Sequence, residues 1–209
     1  MPVRFQHNQN SNSFYFITFT CYKWLPLFKQ VDAYSTVYKW FDHLHNNNIH
    51  VTGYVIMPNH VHALLYFPQM PKSLNTVIGN AKRFMAYEII KRLEERKDEK
   101  LLDLLHDGVK KREAKKGQIH KVFEESFDAK ECYSEAFIFQ KLQYMHYNPV
   151  SKKWSLVHDF TDYVHSSASF YERGIKKYEN IVHVKDALAS TSRGLPLHKY
   201  HRSEDPGRT

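Results

Sequence analysis

His60 and His62 stand two apart within YVIMPNHVHALLYF, residues 54–67. In an extended stretch alternate side chains share a face, so the two imidazoles point the same way with backbones roughly 6–7 Å apart. Val61 and Ala63 point the other way. Two imidazoles so placed can close on one metal ion. A chain with 14 histidines also supplies such a pair in solvent or at a core edge, so the pair needs company before it means chemistry.

Company is offered by SEAFIFQKLQYMHYN, residues 134–148. On a helical wheel of about 100° per residue, Leu142, Ile138, Phe139 and Met145 make one apolar stripe, while Tyr144 and Asn148 fall on the far side. A tyrosine that only fills a core belongs on the stripe, and this one does not. Tyr144 and Asn148 are an i, i+4 pair, hence neighbours, flanked by Gln140 and Tyr147. The plain alternative is a surface tyrosine ahead of a helix-ending Asn-Pro. Taken with the histidines, a carboxamide oxygen would complete a three-ligand site with open positions, as catalytic metals require. A phenol one turn from that third ligand would face the metal-bound group.

Such a site needs a sheet for the imidazoles and a helix for the phenol. Residues 14–24, FYFITFTCYKW, are β-branched and aromatic throughout and predict a long central strand. Residues 31–46 place Val31, Tyr34, Val37, Tyr38, Phe41 and Leu44 at helical spacing, and Asn46-Asn47-Asn48 ends them. Two strands hinged at Pro58-Asn59 follow, closed by Pro68 and Pro71. Ser73 reads as the N-cap of a second helix, with Leu74, Val77, Ile78, Ala81, Met85, Ile89 and Ile90 on its core face. Residues 92–121 are charge-rich and expected to be solvated helix and flexible loop. Residues 121–127, KVFEESF, are expected to resume as a short strand before the third helix, which Asn148-Pro149 closes. This β-α-β-β-α-β order predicts an α+β, ferredoxin-like antiparallel sheet with helices on one face. One domain is expected over residues 1–172, with a frayed polar start and a basic, mobile extension over 173–209.

Lys and Arg outnumber Asp and Glu by 30 to 22, and the pI is near 9.3. That balance favours a polyanionic partner, nucleic acid before membrane, because no apolar run approaches the ~20 residues of a spanning helix. Cys21 and Cys132 lack both CxxC spacing and a framework of partners. With no signal peptide at the start, a reducing cytoplasmic location is expected.

Met57-Pro58-Asn59-His60-Val61-His62 together with Tyr144-Met145-His146-Tyr147-Asn148-Pro149-Val150 resembles the HUH-type single-tyrosine transposases, most closely the REP-associated tyrosine transposases. His165-Ser166-Ser167-Ala168 with Tyr171 is similar to a further family signature, in the same order, and the likeness spans residues 14–171. The resemblance implies that His60 and His62 hold a divalent metal, that Asn148 completes the ligand set, and that Tyr144 attacks a scissile phosphate. It implies a 5′-phosphotyrosine intermediate, a free 3′-hydroxyl and single-stranded or hairpin DNA as the substrate of a nucleoid-associated enzyme. It also implies a monomer or a homodimer. Two neutral imidazoles and an amide suit Mn²⁺ better than Mg²⁺, although abundance favours Mg²⁺.

Charge adds a DNA-contact expectation: Lys82 and Arg83 on the second helix, with Lys110, Lys111, Arg112, Lys115 and Lys116 from the loop 110–121, as a phosphate-tracking surface. His146 and Lys82 are candidate helpers for deprotonating the phenol, and Tyr147 is a rival nucleophile. Three other classes compete. A hairpin-binding protein without cleavage would not need the metal-and-phenol set. A histidine-triad hydrolase needs a third histidine where Leu64 stands. A replication initiator of the wider HUH class is disfavoured by the small size and the lack of a helicase domain.

Overall fold

The computed structural model describes residues 11–69 and 73–192, the side chains of 191 and 192 excepted. The polar first ten residues, Pro71 and the basic stretch 193–209 lie outside the described residues. The chain runs β1 (Ser13–Thr20), a 3-10 turn (Tyr22–Trp24), α1 (Leu27–Gln30), α2 (Tyr34–Asn46), β2 (His50–Met57) and β3 (His60–Phe67). It continues through α3 (Leu74–Glu95), α4 (Glu99–Asp107), α5 (Lys111–Ala114), β4 (Asp128–Cys132), α6 (Glu135–Tyr147), α7 (Ala168–Arg173) and α8 (Val184–Ser192). The sheet order is β2-β3-β1-β4 with every pair antiparallel, the ferredoxin-like arrangement expected from the element order. Among the described residues no helix is long and apolar enough to cross a membrane.

Strict alternation along the two central strands divides the core. Tyr15, Ile17 and Phe19 of β1 and Val61, Ala63, Leu65 and Phe67 of β3 join the core that α2 and α3 cover through Val37, Phe41, Ile78, Met85 and Ile89. Phe14 and Phe16 of β1 and Leu64 and Tyr66 of β3 face the other way, onto Ile138, Leu142 and Met145 of α6. The expectation of helices on one face therefore holds for α2 and α3 but not for α6, which packs on the opposite face. The cause is that both faces of β1 and β3 are apolar, and an apolar sheet face left in water would cost about 25 cal/mol per Å².

Three further differences follow from packing. Residues 121–127 do not form the fourth strand; they contribute only a single bridge, Cys21 to Phe123, and β4 begins at Asp128, paired from Thr18–Asp128 to Phe14–Cys132. β4 reads DAKEC, too polar for an apolar search, because it is an edge strand with one face turned to solvent. The charge-rich run is helical in part as expected, but it is not all solvated: Leu105 of α4 is buried, and Lys121 and Glu113 form a buried ion pair at 3.4 Å. Finally, the stretch set apart after residue 172 packs on the sheet as far as it is described. Tyr178, Ile181, Val184 and Ala187 are buried, Val182 N–H donates to Val51 carbonyl (3.0 Å), and a boundary at 172 falls inside this packing.

Candidate active site

On the α6 side of the sheet the apolar face gives way to polar residues at one end. Thr18 and Thr20 of β1 lie opposite His62 and His60 of β3. The switch is visible in the chain itself, where phenylalanines 14 and 16 are followed on the same face by threonines 18 and 20. A cleft of about 970 Å³ opens there, lined by His60, His62, Tyr144, Asn148, Phe16, Thr18 and other residues of β1, β4 and α6. All four expected chemistry-bearing side chains thus border one cavity.

The two imidazole centroids are 4.7 Å apart. Each ring is oriented from behind. His60 Nδ1 lies 2.7 Å from Asn59 Oδ1, while Asn59 Nδ2 donates to the Trp24 carbonyl at 2.9 Å. A carbonyl can only accept, so that second bond fixes which way the Asn59 amide points, and its oxygen must then accept from His60 Nδ1–H. His60 Nε2 is left with its lone pair free of that bond, on a ring that borders the cleft. His62 Nδ1 is bonded to the Thr18 hydroxyl at 2.7 Å, and His62 Nε2 is buried without a hydrogen-bond partner. A buried ring nitrogen with no partner is costly unless something else occupies it, and a metal ion is one occupant that would satisfy it. Burial holds His60 down to about 4, with Lys153 adding to it; burial, then His60 and Lys141, keep His62 well below the ordinary histidine range. Both rings are neutral at pH 7, the form that ligates metal. Among the described residues no three His, Cys, Asp or Glu side chains converge; the Asn148 carboxamide borders the same cleft, as do those of Gln140 and Gln143.

α6 delivers the phenol. Ser134 caps it, its Oγ accepting from Phe137 N–H at 3.3 Å, and Ile138, Leu142 and Met145 bury one face. Tyr144 is 55% exposed, with its ring 5.5 Å from His62 and 6.1 Å edge-on to Phe16. The approach of α6 to the sheet is tight: a Cβ on Gly53 of β2 would lie 2.4 Å from Leu142 Cδ2. Tyr147 also borders the cleft, but its ring stacks on Phe160 at 4.4 Å rather than on a histidine.

Several expected roles fall elsewhere. His146 is on the buried side of α6, where Nε2 meets Ser167 Oγ at 2.8 Å, so it cannot serve the phenol. The His165-Ser166-Ser167 signature runs along the outer edge of β2: Ile56 N–H donates to His165 carbonyl (2.8 Å) and Ser167 N–H to Tyr54 carbonyl (2.9 Å). It covers a strand edge and ties α6 to it through His146. Lys82 is on α3, across the sheet, and its ammonium donates to the carbonyls of Glu124 (2.6 Å) and Glu125 (3.1 Å), pinning the loop ahead of β4. It is neither a helper to the phenol nor a free phosphate ligand. Arg83 borders a separate groove beside Trp40 and Phe84, and Arg112 pairs with Glu125. None of Lys82, Arg83, Lys110, Lys111, Arg112, Lys115 and Lys116 lines the cleft.

The cleft's own cations are Lys130, Lys141 and Lys153, which charge clustering passed over because they are scattered in sequence. Lys141 was findable, standing three residues before Tyr144 on the same helix. Its ammonium lies 5.8 Å from the Tyr144 centroid and 5.3 Å from Phe16, and burial, then Lys130, lowers its pKa from the ordinary lysine value. Trp24, at 52% exposure, and Trp154 flank His60 with ring centroids 5.7 and 5.5 Å away.

This fold is similar to that of a REP-associated tyrosine transposase solved with a REP hairpin bound. The TM-score is 0.57 at 13% identity, covering 85% of this chain and 90% of that one. No family model matches the chain, and no curated protein matches it in sequence.

Proposed function

We propose that this chain is a metal-dependent transposase that cuts and rejoins single-stranded DNA beside hairpins through a 5′-phosphotyrosine on Tyr144. The observation that carries this reading is the meeting, within one chain, of the Tyr144 phenol and a His60/His62 pair whose buried His62 Nε2 has no partner. His60, His62 and Asn148 would hold Mn²⁺ or Mg²⁺, which when bound polarises a phosphoryl oxygen and offsets developing charge by several kcal/mol. The similarity to a hairpin-bound transposase and the net charge of +8 support DNA as the partner.

The protein's own groups account for the rest. The Tyr144 oxygen attacks phosphorus, the bond to the 3′-oxygen breaks, the phenol loses its proton to solvent and the departing oxygen gains one. No redox change occurs, and because the phosphotyrosine conserves the ester, a 3′-hydroxyl reverses the step without ATP. A phenol is only about 0.1% ionised at pH 7, a cost of about 4 kcal/mol. The Lys141 ammonium beside the ring favours the charge as it develops. Lys130 and Lys153 extend a cationic lining for the backbone on either side.

Incubating the protein with an end-labelled hairpin carrying single-stranded arms, with Mn²⁺ or Mg²⁺, should give a denaturation-resistant adduct that EDTA prevents. Tyr144→Phe should abolish the adduct while hairpin binding survives. An adduct of undiminished yield in that variant removes Tyr144 from its role. Since phenol and histidines meet in one chain, a monomer suffices, and mixing Tyr144→Phe with His62→Ala protein should restore no cutting. Recovered activity in the mixture would mean that two subunits exchange their α6 helices.

A further inference from the structure

Trp24 is an exposed indole on strained backbone. Lys23 and Trp24 have φ of 50° and 59°, in the left-handed region that bulky side chains avoid, and Ser155 beside Trp154 has φ of 43°. Such conformations persist only where the surroundings impose them, and they gather at functional sites. Here the surroundings are explicit. Trp24 N–H donates to the Cys21 carbonyl at 3.0 Å, Cys21 N–H donates to the Asn59 carbonyl at 2.8 Å, and Asn59 Nδ2 holds the Trp24 carbonyl. The same Asn59 side chain orients His60. The turn that presents the indole and the ring expected to hold a metal are therefore fixed by one amide. Both Trp24 and Trp154 line the cleft, on the His60 side, while Tyr144 adjoins His62. The Lys153 ammonium lies 4.4 Å from the Trp24 centroid and 5.0 Å from that of Trp154.

We infer that Trp24, Trp154 and Lys153 form a nucleotide subsite that stacks an unpaired base and contacts its phosphate. Resting on the cleavage reading above, it holds the nucleotide that leaves with the 3′-hydroxyl. The side follows from geometry. In an in-line displacement the leaving oxygen departs opposite the nucleophile. With Tyr144 at the His62 end, the departing nucleoside is carried toward His60 and the two indoles. Stacking is indifferent to base identity because every base has a π-face, so the subsite grips without reading sequence. Its service is to keep the cut 3′ end in place until it is rejoined.

Tryptophan emission reads this directly, since Trp40, the third tryptophan of the chain, is buried in the other core. Mixed-sequence single-stranded DNA titrated into Tyr144→Phe protein in EDTA should quench emission. Trp24→Leu should lose most of the quench and bind about tenfold more weakly, and Trp24→Phe, which keeps a ring, should bind nearly as wild type. In the otherwise wild-type enzyme with Mn²⁺, Trp24→Leu should accumulate the phosphotyrosine adduct and yield less rejoined strand, a split that mere loss of fold does not produce. Equal binding by Trp24→Leu, or adducts with unchanged rejoining, overturns the subsite alone. A wild-type protein that forms no adduct but shows the quench and its loss overturns the cleavage reading, and with it the assignment of the leaving nucleotide.

Discussion

Asn59 shows how much one side chain can carry. It sits at 3% exposure in the turn between β2 and β3, with one end of its amide on His60 and the other on the Trp24 carbonyl. Asn59→Ala would leave both partners without their bond and free the His60 ring to turn. Orienting groups behind a metal ligand are typically worth 10–100-fold in affinity, so Mn²⁺ binding should weaken by about that factor when followed by titration calorimetry. Unaltered Mn²⁺ affinity in this variant would remove Asn59 from the site. The contrast with His146 is instructive. Both are polar residues inside the expected motifs, yet His146 is turned to Ser167 and only supports the frame. Which polar residue serves chemistry was not legible from proximity along the chain, because a helix sends i and i+2 to nearly opposite sides.

At the level of elements, the placement of Tyr144 is the work of α6, and α6 is placed by Gly53. Gly53→Ala drives a methyl into Leu142, which is itself buried, so the helix must shift or Leu142 must repack. Overpacking of this kind costs about 1–3 kcal/mol, and denaturant unfolding should register it. Adduct formation should fall more than hairpin affinity does, because the shift moves the nucleophile and leaves the cationic lining of β4 in place. Equal losses in both would argue against α6 as the positioning element. The helix itself was legible in the chain from its apolar stripe and the Asn148-Pro149 that closes it, as were β1, β2 and β3 from their apolar runs and α3 from its core face and Ser73 cap. β4 was not, because an edge strand that borders a wet cleft carries polar residues at 128, 130 and 131 and loses the apolar signature. The opposite-face docking of α6 escaped for a related reason: periodicity shows that a helix has an apolar stripe but not which sheet face receives it.

For the whole molecule, buried histidines set an acid limit. Burial lowers His60 and His146 to about 4, and it also lowers His62 and His165. In the unfolded chain a histidine titrates near 6.5. Between those values the unfolded chain binds the more protons, so stability is full above about 6.5 and is lost as pH falls toward 4. For His60 and His146 the loss by pH 5 should be about 2 kcal/mol each, measurable by denaturant unfolding of metal-free protein in EDTA at pH 7 and pH 5. Equal stability at the two values would contradict the neutral, buried rings on which the proposed metal site depends. One last consequence concerns a chain still being made. The histidines of β3 leave the ribosome about eighty residues before Tyr144, which arrives on a later helix that must first seat against the finished sheet. A copy truncated before α6 would therefore carry the histidine pair without the phenol, and on the reading proposed above it would form no covalent adduct with DNA.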